Sequence, residues 1–199
     1  MSNPSGGRMT LLLIAGIPLI IILASSWLWF YVASGRLDLV DALGTANRGQ
    51  LLDPPVALEE LQVLDAAGKP FVPTASEDPY WRILVPVGQD CDEACRHLLY
   101  YTRQIHTAMG KYQGRIQRIL LALDTPPGLA EALAEDYPGF EVLYTQPARY
   151  RELLAGPAVA DGADYFLSDP YGWVMLSYQS DDDGKELMAD LKFLLKNSN

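Results

Sequence analysis

The stretch Trp81-Arg82-Ile83-Leu84-Val85-Pro86-Val87-Gly88-Gln89-Asp90-Cys91-Asp92-Glu93-Ala94-Cys95 constrains this chain more than any other, because it joins a buried strand to the only two cysteines. Trp81–Val87 is short, largely apolar and β-branched at Ile83, Val85 and Val87, the signature of a strand covered on both faces. Gly88 turns the chain, and Asp90 with Glu93 three residues on forms an Asp variant of the capping box. That reading places Cys91 at the first helical position. The four-residue spacing then puts both sulfurs on one helical face, close enough to share a disulfide or a soft metal ion. Cys95, Leu98, Tyr101 or Thr102, Ile105, Met109 and Tyr112 continue the stripe at steps of three or four, so the cysteines head the apolar face of a helix that Gly114 ends.

Upstream, Leu58–Leu64 and Asp65–Pro70 predict a short hairpin. Downstream, Ile116–Leu123 predicts a second strand, and Thr125-Pro126-Pro127 opens a helix with Thr125 as N-cap and Leu129, Leu133 and Tyr137 on its apolar side. Phe140–Tyr144 is a third strand, and Ala148–Ala155 a short helix stopped by Gly156-Pro157. Tyr165–Leu167 and Trp173–Tyr178 flank Asp169-Pro170-Tyr171-Gly172, a turn sequence suited to an antiparallel hairpin. Asp183 and Glu186 cap a last helix whose stripe is Leu187, Leu191, Leu194 and Leu195. Alternating strands and helices imply parallel pairing with helices on both faces, and the hairpin adds an antiparallel edge. The fold class is therefore α/β, with the layout of a thioredoxin-like domain over residues 56–199 preceded by a single transmembrane helix.

That helix is read from residues 9–35, which carry no charge and exceed the roughly 20 residues needed to cross a bilayer. Trp27, Trp29 and Tyr31 stand at its C-terminal end, where amphipathic aromatics favour the interface. A cleaved signal peptide would have an apolar region of only about 7 to 15 residues, and Val32-Ala33-Ser34 is a poor cleavage site. The expected organisation is a cytoplasmic tail over 1–8, a retained anchor over 9–35, a linker over 36–55, and then the domain. Arg8, Arg36 and Arg48 leave the positive-inside rule undecided. A short tail kept inside, a long acidic domain and a paired-cysteine site favour an inner-membrane protein with its domain in the periplasm. A formal charge of −10 with 49% hydrophobic residues excludes a disordered chain and argues against nucleic acid as a partner.

A thiol at a helix N-terminus is activated, but Asp90, Asp92 and Glu93 disfavour a thiolate there. That combination fits a slow, specific partner, and the acidic collar attracts a cation or a basic protein. A purely stabilising disulfide gains little from closing so short a loop. For copper, two thiolates are a good soft pair, and the two histidines do not complete it: His97 is turned about 200° from Cys95 and His106 lies roughly 16 Å along the helix. His97 is expected exposed and His106 partly buried. Trp81, Trp173, Met109 and Met175 read as packing residues, and Asp181-Asp182-Asp183 as a solvated turn. No phosphate loop, nucleophile elbow or zinc spacing is present.

A membrane-anchored thioredoxin-like domain with Cys-x-x-x-Cys resembles the Sco/SenC proteins, which help insert copper into the dinuclear centre of cytochrome oxidase. The resemblance makes Cys91 and Cys95 the counterparts of the family's copper-binding cysteines and aligns Tyr165–Gly172 with its late strand-turn segment. This chain has Asp92 and Arg96 where the family has prolines, and Asp161 is the nearest match to its copper-ligating His. The segment Asn47–Pro55 is similar to small single-span thioredoxin-like proteins of proteobacteria. The resemblance implies a membrane-anchored protein assisting respiratory cytochrome c oxidase assembly through thiol-disulfide chemistry at Cys91 and Cys95, at most as a thiol-disulfide oxidoreductase. Its partners would be the membrane and a respiratory oxidase subunit or its assembly factors. Two alternatives stay open: a Cu(I) metallochaperone using Cys91 and Cys95 as metal ligands, and a tethered interaction module without chemistry.

Overall fold

The computed structural model of the chain describes residues 4–34, 47–74, 79–126, 128–155, 164–179 and 184–198. The chain divides into two compact units, Met1–Ala46 and Asn47–Asn199. The first contains helix α1, Pro4–Ala33, which runs through Pro18. Within it Leu12–Ala33 is long and apolar enough to cross a membrane. Trp27 and Tyr31, one turn apart, bring their ring centroids within 4.4 Å. The helix begins inside the expected tail.

The second unit is one six-stranded mixed sheet. Its strands are β1 (Gln50–Ala57), β2 (Trp81–Val87), β3 (Ile116–Leu123), β4 (Phe140–Thr145), β5 (Tyr165–Ser168) and β6 (Trp173–Tyr178), in the order β1-β6-β5-β2-β3-β4. β2, β3 and β4 are parallel, with Trp81 opposite Ile116 and Arg118 opposite Phe140. β5 runs antiparallel to β2, β6 to β5, and β1 to β6. Helix α2 (Glu93–Ala108) follows β2, α3 (Leu129–Asp136) follows β3, α4 (Pro147–Leu153) follows β4, and α5 (Lys185–Asn197) closes the chain.

Strand alternation sorts the core onto two faces. Ile83, Val85 and Leu120 pack with Leu99 of α2, Leu133 of α3 and Leu191 of α5 on one face. Leu84, Ile119 and Leu143 pack with Leu52, Leu61 and Leu154 on the other. Covered on both sides, β2 and β3 read as nearly unbroken apolar runs, as central parallel strands do.

Four expectations need correction. The hairpin β5–β6 is interior, because β1 pairs outside it; the sheet edges are β1 and β4. β1 starts at Gln50, inside the stretch read as linker, so the domain begins near Asn47 rather than at 56. Alternation is weak in that strand: Pro54 and Pro55 are exposed and only Leu52 and Val56 are buried, which hid it. Prolines at an edge lose no ladder bond that a central strand would need. Residues 35–46, the rest of the expected linker, lie outside the described residues. The hairpin expected over Leu58–Pro70 shrinks to one antiparallel bridge, Leu64 with Pro70, while Leu64 also bridges Tyr144 of β4. Finally, α2 stops at Ala108 and Gly110–Arg115 forms a 3₁₀ turn, so Gly114 lies within that turn.

The sheet directions bring the chain's entry at Asn47–Gln50 to the end that holds the C-terminus of β2. Gln50 pairs with Ser177 near the end of β6, and Tyr165 at the start of β5 pairs with Tyr178. Asp190 of α5, 3% exposed, secures that entry. Its carboxylate accepts the N–H groups of Arg48 (2.9 Å) and Gly49 (2.9 Å) and the Tyr178 hydroxyl (2.9 Å). A Cβ on Gly49 would strike the Tyr178 ring.

Candidate thiol-disulfide site

Cys91 and Cys95 are joined by a disulfide, with Cα atoms 5.2 Å apart, inside the range a disulfide spans. Their placement differs from the expectation in one respect. The N-cap of α2 is Asp92, not Asp90: its backbone is extended and its Oδ1 accepts the Cys95 N–H at 2.9 Å. Cys91 therefore stands outside the helix and Cys95 at its third position. The extended turn at Asp92 lets Cys91 drop beneath the end of β2 into the core, where it is 8% exposed. A helical Cys91 would have faced along the α2 stripe instead. Cys95 is partly buried and packs against the same core.

The surrounding loop is fixed by polar contacts. The Cys91 carbonyl accepts Nε–H of Arg96 (3.2 Å). Gln89 Nε2 donates to Asp124 Oδ2 (3.1 Å), joining the β2–α2 loop to the one after β3. Asp124 adopts a left-handed backbone, φ 54°, which Asp tolerates better than most residues. The Thr125 hydroxyl donates to the Val87 carbonyl (2.9 Å). Engaged there, Thr125 does not cap α3, whose N-cap is Gly128 at φ 83°. Gly184, also left-handed, precedes α5, and Asp183 lies outside the described residues. Asp90, Asp92, Glu93 and Asp124 are all exposed around the disulfide. Asp124 was not singled out in the sequence; its signal was the strand end Leu123-Asp124 preceding Thr125-Pro126.

His97 is exposed and stacks on Tyr101 at 5.9 Å. His106 sits at the far end of α2, half-buried, its Nε2 3.0 Å from the Ile116 carbonyl and its Nδ1 3.2 Å from Gln113 Nε2. Burial lowers its pKa, and the Arg118 charge lowers it further. Neither histidine joins the cysteines. Among the described residues no group of three or more His, Cys, Asp or Glu side chains is placed to hold a metal ion, and Asp161 lies outside them. The described donor set is two sulfurs, which does not make a three-ligand copper site, and no step is routed through copper below. Trp81 and Met109 are buried as expected, Met175 is partly so, and Trp173 is 44% exposed at the rim.

A parallel β-α-β-α-β half, an antiparallel hairpin on the same sheet and a cysteine pair where the first strand meets its helix define a thioredoxin-like protein. The chain belongs to the family described as transmembrane-like, thioredoxin-like, C-terminal domain, whose pattern matches residues 81–198. Solved structures share the fold. Apo Sco1 from Thermus thermophilus superposes with a TM-score of 0.53 at 20% identity, covering 76% of this chain and 98% of that one. BsSco, described as a member of the Sco family of cytochrome c oxidase assembly proteins with a disulfide switch, gives 0.52 at 12% identity, covering 77% and 98%. Copper-bound ScoI from Arabidopsis thaliana gives 0.51 at 13%, covering 74% and 98%. Comparison with the curated proteins finds no match.

Proposed function

We propose that this protein is a membrane-anchored thiol-disulfide protein that assists assembly of a respiratory cytochrome c oxidase, exchanging the Cys91–Cys95 disulfide with a partner's thiols. The observation that carries the reading is the disulfide itself, set at the junction of β2 and α2, with Cys91 buried and Cys95 only partly buried. A four-residue loop stabilises a fold little by constraining its unfolded chain, so a bridge there is better explained by its chemistry. The fold shared with Sco proteins supports the setting. The acidic rim of Asp90, Asp92, Glu93 and Asp124 favours a basic partner surface. In this reading Leu12–Ala33 is the anchor, the first residues are cytoplasmic, and the domain stands in the periplasm.

The test is complementation of a deletion strain with Cys91→Ser and Cys95→Ser chains, reading oxidase activity in isolated membranes. Loss of activity at normal protein levels is the expected result. Unchanged activity in both would instead make the domain an interaction module without chemistry.

A further inference from the structure

We infer that Cys95, rather than Cys91, is the sulfur that a partner thiolate attacks; the inference rests on the thiol-disulfide reading above. Thiol exchange needs the incoming sulfur to reach one member of the bridge with the other as leaving group, so access decides the order of events. Cys91 is 8% exposed and belongs to the main core with Val87 and Leu98. Its carbonyl is held by Arg96 Nε, which fixes the Cys91 backbone beneath the first turn of α2. Cys95 is only partly buried, at the third position of α2, where its N–H is held by Asp92 Oδ1.

The step balances as a two-electron exchange. A partner protein's thiolate bonds to Cys95 Sγ, the Cys95–Cys91 bond breaks, and Cys91 leaves as thiolate and takes a proton from solvent. A second thiolate of the same partner then attacks its own sulfur in the mixed disulfide and releases Cys95 as thiolate. The partner dithiol is oxidised to a disulfide and the Cys91–Cys95 pair is reduced. A thiolate released at Cys91 is poorly solvated and stands beside Asp92, so departure is slow unless the docked partner offsets the acidic rim with positive charge.

The experiment uses the full chain in detergent with glutathione as probe. Oxidised protein is treated with reduced glutathione, quenched in acid and cleaved after Arg82 and Arg96, and the adduct is located by fragmentation of the Ile83–Arg96 peptide. Glutathione on Cys95 is expected. Separately, the lone thiol of Cys91→Ser should react with glutathione disulfide at least about tenfold faster than the lone thiol of Cys95→Ser, as accessible thiols do relative to buried ones. Adducts mainly on Cys91, or equal rates in the two variants, overturn the inference and leave the thiol-disulfide reading standing. A bridge that neither glutathione nor dithiothreitol opens in the folded chain overturns that reading itself, and the inference with it.

Discussion

His106 and Arg118 give the domain one expected source of acid sensitivity at the scale of single side chains. Arg118 is buried on β3, its guanidinium 4.3 Å from the Phe140 ring centroid, with Nη2 donating to the Pro138 carbonyl. A Cβ on Gly139, at φ 94°, would strike that same Nη2. Burial, with Arg103 nearby, pushes the Arg118 pKa down to about 10, still charged at neutral pH. The charge adds to burial in holding the His106 pKa below its ordinary 6.5. The unfolded chain therefore binds a proton at this site more readily than the folded one. Stability contributed by neutral His106 is present above pH 6.5 and is lost as the pH falls from there through the lowered folded-state value. Denaturant midpoints measured from pH 7.5 down to 5.5 should fall, and His106→Gln should flatten that slope. An unaltered slope in the variant would place the acid sensitivity in other groups.

At the scale of elements, the weight falls on β1 and α5. Deleting the buried acceptor in Asp190→Ala leaves two backbone N–H groups and the Tyr178 hydroxyl without it, at a cost of about 2–4 kcal/mol. Urea unfolding should report that loss, and amide exchange at Gln50 and Leu51 should speed up more than at β3. Equal acceleration throughout the sheet would mean that Asp190 supports the whole domain rather than the entry of β1. The same element marks where the sequence ran out. Central strands and the α5 stripe were legible because burial on both faces, or along one stripe, writes a plain apolar pattern. β1 was not, since an edge strand with Pro54 and Pro55 shows no alternation. The spacing of Cys91 and Cys95 put the sulfurs within reach of each other without choosing between a disulfide and a shared metal ion, and it did not show the shift of the helix cap from Asp90 to Asp92. Two acidic residues two apart offer equivalent caps in the sequence, and only the bond from the Cys95 N–H to Asp92 Oδ1 shows which is used.

For the whole molecule, α1 carries the proposed anchor, because Leu12–Ala33 is long and apolar enough to cross a membrane. The full chain should stay with the membrane through an alkaline carbonate wash, and a chain lacking residues 9–35 should be released. In spheroplasts of the Cys91→Ser strain, a membrane-impermeant maleimide should label Cys95 without permeabilisation. Labelling only after the inner membrane is opened would reverse the proposed topology. The bonds from Asp190 to the backbone of Arg48 and Gly49 also have a mechanical side. A pull arriving along the chain from the apolar helix meets them before it meets the β1–β6 ladder, and it meets them at the end of the sheet that carries Cys91 and Cys95. Load entering there is shared with α5, to which Asp190 belongs, before it reaches the β1–β6 ladder.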